Sequence, residues 1–141
     1  MKSKISTKKR KIGDLGEEIA HNFLIKHGYN ILDRNYLKIV GEIDIIARFK
    51  NTLHFIEVKT IQITQKETTW FYETTKLVSR DTYNPLENVT SYKLQRIYRT
   101  ISEYLKENAI SRETRWQVDV ISIVLSKEKK TAELQLIENV L

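Results

Sequence analysis

Three charged side chains interrupt two otherwise apolar segments of the sequence. Asp44 lies in the run Gly-Glu-Ile-Asp-Ile-Ile of residues 41–46, and Glu57 and Lys59 lie in the run Phe-Ile-Glu-Val-Lys of residues 55–59. Both runs have the β-branched or alternating character of strands, which we predict over Glu42–Phe49 and Thr52–Lys59. Because side chains alternate along a strand, Glu57 and Lys59 share one face of the predicted sheet.

The short polar link Lys50–Asn51 predicts a hairpin between these strands. A tight turn centred between the two residues pairs Asp44 with Glu57, and Glu42 with Lys59. Carboxylates opposed in this way repel each other, and a divalent cation such as Mg²⁺ would neutralise them.

A lysine beside such a metal site could orient or deprotonate an attacking water, or stabilise charge on a phosphate. Asp44, Glu57 and Lys59 are therefore candidate catalytic residues for metal-assisted phosphodiester hydrolysis. On spacing alone, a purely structural cross-strand pairing of acid and base stays open.

A third carboxylate is predicted on a helix before these strands. Apolar residues recur with a 3.6-residue period over Ile12–His27, and Gly28 follows at the position that favours a left-handed backbone. Glu17 lies on the flank of the apolar stripe, from which it could reach the face of Asp44. The alternative is an acid that stabilises the first turn through the helix dipole, a role that Glu18 could fill equally.

The remaining segments complete an α/β pattern. We predict strands over Tyr29–Tyr36, Gln117–Leu125 and Ala132–Ile137, and a second helix over Leu86–Glu107. The apolar face predicted for that helix holds Thr90, Leu94, Ile97, Ile101, Tyr104 and Leu105. The fold class is therefore α/β, with a mixed β-sheet flanked by helices.

Residues 60–84 are long for an ordinary connection between elements. They carry four large aromatic residues among polar ones, namely Trp70, Phe71, Tyr72 and Tyr83. These could form a local hydrophobic plug or a platform on which nucleic-acid bases stack.

The positive charge is concentrated at one end of the chain. The net charge is +6, with 24 basic and 18 acidic residues, and residues 1–11 contain six bases and no acid. We therefore predict a flexible basic arm over residues 1–11 and a single, charge-balanced domain over residues 12–141. A basic arm is a solvated end, a nucleic-acid contact or, more rarely, a membrane-surface anchor.

Two groups of bases are candidate nucleic-acid contacts. The arm contributes Lys8, Lys9, Arg10 and Lys11, and the second helix contributes Lys93, Arg96 and Arg99 with a spacing of three residues. The alternative for the second group is a solvated helix face.

Several other site classes are excluded by composition and spacing. The chain has no cysteine, so disulfides, thiolate metal sites and cysteine nucleophiles are absent. Its four glycines form no dinucleotide-binding or P-loop motif, and no serine-hydrolase elbow occurs. His21, His27 and His54 lack the spacing of zinc ligands. With no long apolar run and no signal peptide, we expect a cytoplasmic protein without membrane contact.

An ordered set of motifs resembles the bacterial YraN family. The matching segments are Gly16–Ala20, Asn30–Tyr36, Gly41–Ala47 and Phe55–Thr60, followed by Lys93 and Val118–Val120. The YraN family is similar to Holliday-junction resolvases and carries the PD-(D/E)xK nuclease fold. The resemblance spans the chain from about Lys11 to Leu125.

This resemblance implies a restriction-endonuclease-like core that uses Mg²⁺ or Mn²⁺. It assigns Glu17, Asp44 and Glu57 as metal ligands and Lys59 as the catalytic lysine. The implied activity is endonuclease cleavage of DNA, including branched DNA such as the Holliday junction. By analogy with resolvases, which need two active sites for paired cuts, a homodimer is expected.

Two other interpretations stay open. The chain could be a nucleic-acid-binding module that keeps this fold and cleaves nothing. It could also be an interaction domain with decayed catalytic residues, against which the presence of Asp44, Glu57 and Lys59 counts.

Overall fold

The computed structural model describes residues 4–63, 86 and 90–141. Two helices and five strands occur in these ranges, in the order α1 (Lys4–Lys26), β1 (Asn30–Lys38), β2 (Gly41–Phe49), β3 (Thr52–Ile63), α2 (Ser91–Glu107), β4 (Arg115–Ser126) and β5 (Thr131–Ile137). The predicted class, an α/β fold with a mixed sheet flanked by helices, is confirmed. The architecture is compatible with a restriction-endonuclease-like core.

The five strands form one sheet in the order β1-β2-β3-β4-β5. Strands β1, β2 and β3 are antiparallel neighbours, β3 and β4 are parallel, and β5 is antiparallel to β4. Two parallel strands need a crossover connection, and α2 lies in the one between β3 and β4. Strands β3 and β4 lie inside the sheet, and they pair without interruption from Thr52 opposite Arg115 to Ile63 opposite Ser126.

The two helices cover opposite faces of the sheet. Ala20 and Leu24 of α1 belong to one buried cluster, which includes Ile45 and Ile56. Ile101 and Tyr104 of α2 belong to a second cluster; its strand members include Ile46 and Phe55. Because side chains alternate along a strand, neighbouring residues of β2 and β3 serve different cores.

Helix α1 begins earlier than the apolar period indicates. Its backbone is helical from Lys4, eight residues before the predicted start at Ile12. Lysine and arginine are good helix formers, and no proline interrupts this segment. Neither of the two helices in the described ranges is both long and apolar enough to cross a membrane.

Helix α2 begins later than predicted, at Ser91. Thr90 is its N-cap, and the Thr90 hydroxyl accepts a hydrogen bond from the backbone N–H of Lys93 at 3.2 Å. The placement of Thr90 on the apolar face was therefore wrong, because its oxygen satisfies a free backbone donor of the first turn.

Strand β3 extends into the long connection that was predicted over residues 60–84. Its first residues, 60–63, belong to β3. Residues 64–85 and 87–89, and with them the aromatic residues proposed to form a plug or a stacking platform, lie outside the described residues.

Candidate active site

The β2–β3 hairpin has the predicted register over its first half. Ile45 pairs with Ile56 and Phe49 with Thr52, centred on Lys50–Asn51. The pairing ends at Ile45, so the predicted direct pairs of Asp44 with Glu57 and of Glu42 with Lys59 are absent.

A side chain links the two strands where the main-chain pairing ends. The Asp44 carboxylate accepts a hydrogen bond from the backbone N–H of Val58 at 2.8 Å. Strand β2 is also irregular here, since Ile43 packs in the core under α2 and Ile45 in the core under α1. Residues two apart share a face in a regular strand, so the face that β2 presents to each core changes at Asp44.

Strand β3 carries Glu57 and Lys59 into a cavity on the α2 side of the sheet. The cavity has a volume of about 500 Å³, and its lining also includes Glu42, Lys93 and Arg96. The prediction that Glu57 and Lys59 share a face is therefore confirmed. Val58, between them, packs on the core under α1.

Gly16 allows α1 to approach the sheet beside this site. A Cβ atom on Gly16 would lie 1.8 Å from the Thr60 hydroxyl oxygen, so a larger residue there would push the helix away from β3. Glu17, the next residue, is half-buried, and the nearby Asn35 side chain acts to lower the pKa of Glu17. The close approach permitted by glycine thus places Glu17 beside the strands.

The positions of Glu17 and Glu18 on α1 distinguish the alternative roles predicted for these two acids. Since α1 begins at Lys4, its first turn contains no acid, and Glu17 cannot be a first-turn dipole partner. Glu18 is exposed and forms a salt bridge with Arg34 at 3.1 Å. Glu17, in contrast, lies close enough to Asp44 for its charge to raise the pKa of the Asp44 carboxyl group.

The pKa values of Glu17 and Asp44 are raised. Burial is the largest cause of a pKa of about 7 for Asp44, followed by the charges of Glu17 and Glu42, while the Val58 N–H acts in the opposite direction. Burial is also the main reason that the pKa of Glu17 is raised. Both carboxyl groups therefore retain protons to a higher pH than exposed acids do.

Glu57 and Lys59 are perturbed in opposite directions. Burial, followed by the charges of Asp44 and Glu42, raises the pKa of Glu57 to about 8. Burial also lowers the pKa of Lys59, and the nearby Lys93 adds to this shift. Since the acids interact, their protons leave as a coupled set rather than one residue at a time.

The chemistry of these acids suits a hard divalent cation, although in the described part of the chain only His54, Asp119 and Glu138 have ligand atoms that all lie within 4.8 Å of one another. Glu17, Asp44 and Glu57 offer carboxylate oxygens, which Mg²⁺ and Mn²⁺ prefer, and Glu42 adds a further negative charge nearby. A cation would remove the mutual repulsion that, together with burial, raises the pKa values of these acids.

The candidate nucleic-acid contacts lie in different places. Lys93 and Arg96 line the cavity of Glu57 and Lys59, whereas Arg99 is exposed on α2 and is not part of its lining. The arm residues are exposed on α1; they are Lys8, Lys9, Arg10 and Lys11. At a rise of about 1.5 Å per residue, Lys11 lies about 9 Å along the helix from Glu17.

Sequence reasoning missed Asn35. Its backbone has φ 52°, a left-handed conformation that asparagine adopts more readily than most residues, and its side chain acts to lower the pKa of Glu17. The available signal was an asparagine within a predicted strand, where this residue type is uncommon.

A second cluster of ionisable residues lies on the α1 face of the sheet. His54 Nδ1 donates to Asp119 Oδ2 at 2.6 Å, and Asp119 Oδ1 accepts from the Gln117 amide at 2.8 Å and from the Asn139 backbone N–H at 2.9 Å. Ligand atoms of His54, Asp119 and Glu138 lie within 4.8 Å of one another. Because both Asp119 oxygens already have donors, this cluster fastens the C-terminal residues to β3 and β4.

Comparison with known proteins gives one consistent family. A family model described as "Uncharacterised protein family UPF0102" matches residues 16–123, a range that contains Glu17, Asp44, Glu57 and Lys59. A UPF0102 protein of Campylobacter hominis is 41% identical over 133 residues, which cover 94% of this chain and 96% of the relative. A UPF0102 protein of Clostridium acetobutylicum is 35% identical over 131 residues, covering 92% and 93% respectively. The chain therefore belongs to the UPF0102 family.

Proposed function

We propose that this protein is a Mg²⁺- or Mn²⁺-dependent endonuclease that hydrolyses phosphodiester bonds in DNA. One observation carries the proposal: Asp44 lies beside Glu57, which shares a cavity with Lys59, at the point where β2 and β3 separate, and Glu17 of α1 lies near Asp44. Acids with raised pKa values beside a lysine with a lowered pKa, in a cleft, are typical of catalytic sites.

The three carboxylates have the role of metal ligands in this proposal. Glu17, Asp44 and Glu57 would hold the cation, and the Val58 N–H fixes one oxygen of Asp44. A bound divalent ion supplies charge that stabilises the phosphate oxygens and acidity that activates water.

Lys59 has the role of a proton carrier at its Nζ atom. It lies beside Glu57 in the cavity, and its lowered pKa increases its neutral fraction at a given pH. The neutral amine accepts a proton from the attacking water, and the ammonium form stabilises charge that develops on the phosphate.

Basic residues beside the carboxylates would hold the DNA backbone. Lys93 and Arg96 line the same cavity, and exposed basic residues lie on α1, the helix that also carries Glu17. Such phosphate contacts give affinity that falls steeply with salt, and they position the strand without reading its sequence.

The test is cleavage of linear, flapped and four-way DNA in Mg²⁺, Mn²⁺ or EDTA. We expect metal-dependent cutting by the native protein, none by Asp44→Asn, and unchanged cutting by Asp33→Asn, a strand aspartate that is exposed on β1. Salt-dependent binding without cutting would instead support the non-catalytic binding module. Cutting that survives in Asp44→Asn would contradict the assignment of the site.

The homodimer and the preference for branched DNA belong to the same proposal. Two sites on one assembly are needed for paired cuts in a symmetric junction. Sedimentation at the concentrations of the cleavage assay reads out the oligomeric state, and a strict monomer that makes paired cuts would contradict this part.

A further inference from the structure

The turn between β1 and β2 exposes two large aliphatic side chains. Lys38 pairs with Gly41 to close the hairpin, which leaves Ile39 at its tip. The Ile39 side chain is fully exposed, at 103% of its reference area, and Leu37 is 71% exposed. We call residues 37–41 the hairpin tip.

The hairpin tip is held firmly by α2. Arg96 Nε donates to the backbone oxygen of Val40 at 3.1 Å. A Cβ atom on Gly41 would lie 2.8 Å from the hydroxyl oxygen of Thr100, a buried residue whose hydroxyl donates to the Arg96 carbonyl at 2.8 Å. Only glycine therefore lets the hairpin approach the helix this closely, and Ile39 is presented on an anchored turn.

The hairpin tip also lies at the rim of the candidate active site. Leu37 and Lys38 line the cavity that holds Glu57 and Lys59. Four basic side chains line this cavity, namely Lys38, Lys59, Lys93 and Arg96, against two acids, Glu42 and Glu57, and Lys38 also forms a salt bridge with Glu107. Exposed aliphatic side chains beside basic side chains suit DNA as a ligand. DNA is a polyanion, and its stacked nucleobases have apolar faces.

We propose that Ile39, with Leu37 behind it, is a wedge that inserts between two bases of DNA whose backbone lies in the cavity. Aliphatic wedges of this kind unstack a base step and bend the duplex. Unstacking costs least where bases are already unpaired, so the wedge favours DNA with a boundary between double and single strands. This inference rests on the DNA-binding part of the proposed function, and it assigns the hairpin tip a binding role that the carboxylates do not have.

The test is a fluorescence measurement that does not depend on cleavage. A flapped duplex carries 2-aminopurine at the base step next to the flap, and the protein is added in Ca²⁺ without Mg²⁺ or Mn²⁺. We expect the native protein to raise the fluorescence by unstacking the probe, and Ile39→Ser to abolish the rise. The control is Leu32→Ser, which makes the same type of change at another exposed position of β1.

Affinity provides the second readout. Because Ile39→Ser removes the apolar side chain that would contact the unstacked bases, we expect it to weaken binding to the flapped duplex about tenfold by fluorescence anisotropy. Binding to a linear duplex should change little, because intact stacking resists insertion. Circular dichroism checks that each variant folds, which we expect for a fully exposed position.

The outcomes separate this inference from the proposed function. If the native protein cuts no DNA but Ile39→Ser abolishes the fluorescence rise, the wedge stands and the nuclease proposal fails. A fluorescence rise that survives in Ile39→Ser, or an equal loss of affinity for flapped and linear DNA, overturns the wedge. A shift of Ile39→Ser from dimer to monomer in sedimentation also overturns it, because the hairpin tip would then be an interface between copies.

Discussion

The sheet separates two groups of ionisable residues that are built in opposite ways. On the α1 face, Asp119 is fully buried and both its oxygens accept hydrogen bonds, one of them from His54. At the divergence of β2 and β3, beyond the Ile45–Ile56 pair, the charge of Asp44 raises the pKa of Glu57, and the charges of Glu17 and Glu42 raise the pKa of Asp44. Among the described hydrogen bonds, these acids accept one backbone N–H, which Val58 donates to Asp44.

This difference indicates what each group does. A buried acid with all its acceptors occupied stabilises the fold, and removing it leaves its donors without partners. Acids that crowd one another cost stability in the free protein, a cost that is offset only when a cation or substrate binds. We therefore assign a structural role to the group of Asp119 and propose ligand binding for the acids at the divergence.

The largest effect should come from the structural group. We expect Asp119→Ala to lower the free energy of unfolding by about 3 kcal/mol or more, because His54 and two further donors lose a buried acceptor. Urea denaturation at pH 7 measures this loss. Glu133→Ala, at an exposed position of β5, is the control and should change stability little. A loss of unfolding free energy as small as that of the control would contradict a structural role for Asp119.

The second effect is stabilisation by a divalent cation. A ligand present at a hundredfold its Kd stabilises the native state by about 2.7 kcal/mol, so Mg²⁺ or Mn²⁺ should raise the Tm of the native protein. We expect Asp44→Asn to lose most of this shift, and Asp33→Asn to keep it. Asp119→Ala should melt at a lower temperature but still respond to the metal. A metal response that disappears in Asp119→Ala and persists in Asp44→Asn would reverse the two assignments.

The third effect is a pH dependence that comes from the crowded acids. Their pKa values in the folded protein, about 7 for Asp44 and about 8 for Glu57, exceed those of free carboxyl groups, so the folded state binds more protons than the unfolded state. The contribution is therefore full below about pH 4 and is lost as the pH rises towards 8.

Urea denaturation without divalent metal tests this sign. The native protein should lose on the order of 2 kcal/mol between pH 5 and pH 8 relative to Asp44→Asn, which has no proton to lose at that position. A stability difference that grows in favour of the native protein as the pH rises would show that the acids are stabilised in their charged forms instead.

The smallest effect concerns two glycines of α1. Gly16→Ala should destabilise the protein by about 1–2 kcal/mol, because the new methyl group meets Thr60. Gly13→Ala has nothing within 4 Å of the new atom and should stabilise the helix by up to about 1 kcal/mol. Gly16→Ala should also weaken metal binding through Glu17, whereas Gly13→Ala should leave it unchanged. Equal effects of the two substitutions would contradict the close approach of α1.

Local patterns predicted most of the elements and part of the site. The turn at Lys50–Asn51 set the register as far as Ile45, and alternation placed Glu57 and Lys59 on one face. These properties depend on neighbouring residues along the chain. The role of Glu17 as a metal ligand came from family resemblance, whereas the role of Lys59 in catalysis was also predicted from its place beside the two acids. Both roles remain predictions.

Features that depend on distant parts of the chain were not predictable. The change of face of β2 at Asp44 depends on the two different cores on the two sides of the sheet. Asp119 meets His54 because β3 and β4 are parallel neighbours. The early start of α1 was missed for another reason, since the apolar period ends at Ile12 while helix propensity continues to Lys4.

Calorimetric titration with Mn²⁺ tests most directly whether the carboxylates at the divergence form a cation site. Measured at pH 7 in two buffers of different ionisation enthalpy, it reports both the affinity and the number of protons released. We expect the native protein and Asp33→Asn to bind Mn²⁺ with proton release, because acids with raised pKa values must ionise to act as ligands, and Asp44→Asn to bind much more weakly. Binding without proton release, or equal binding by Asp44→Asn, would contradict the site.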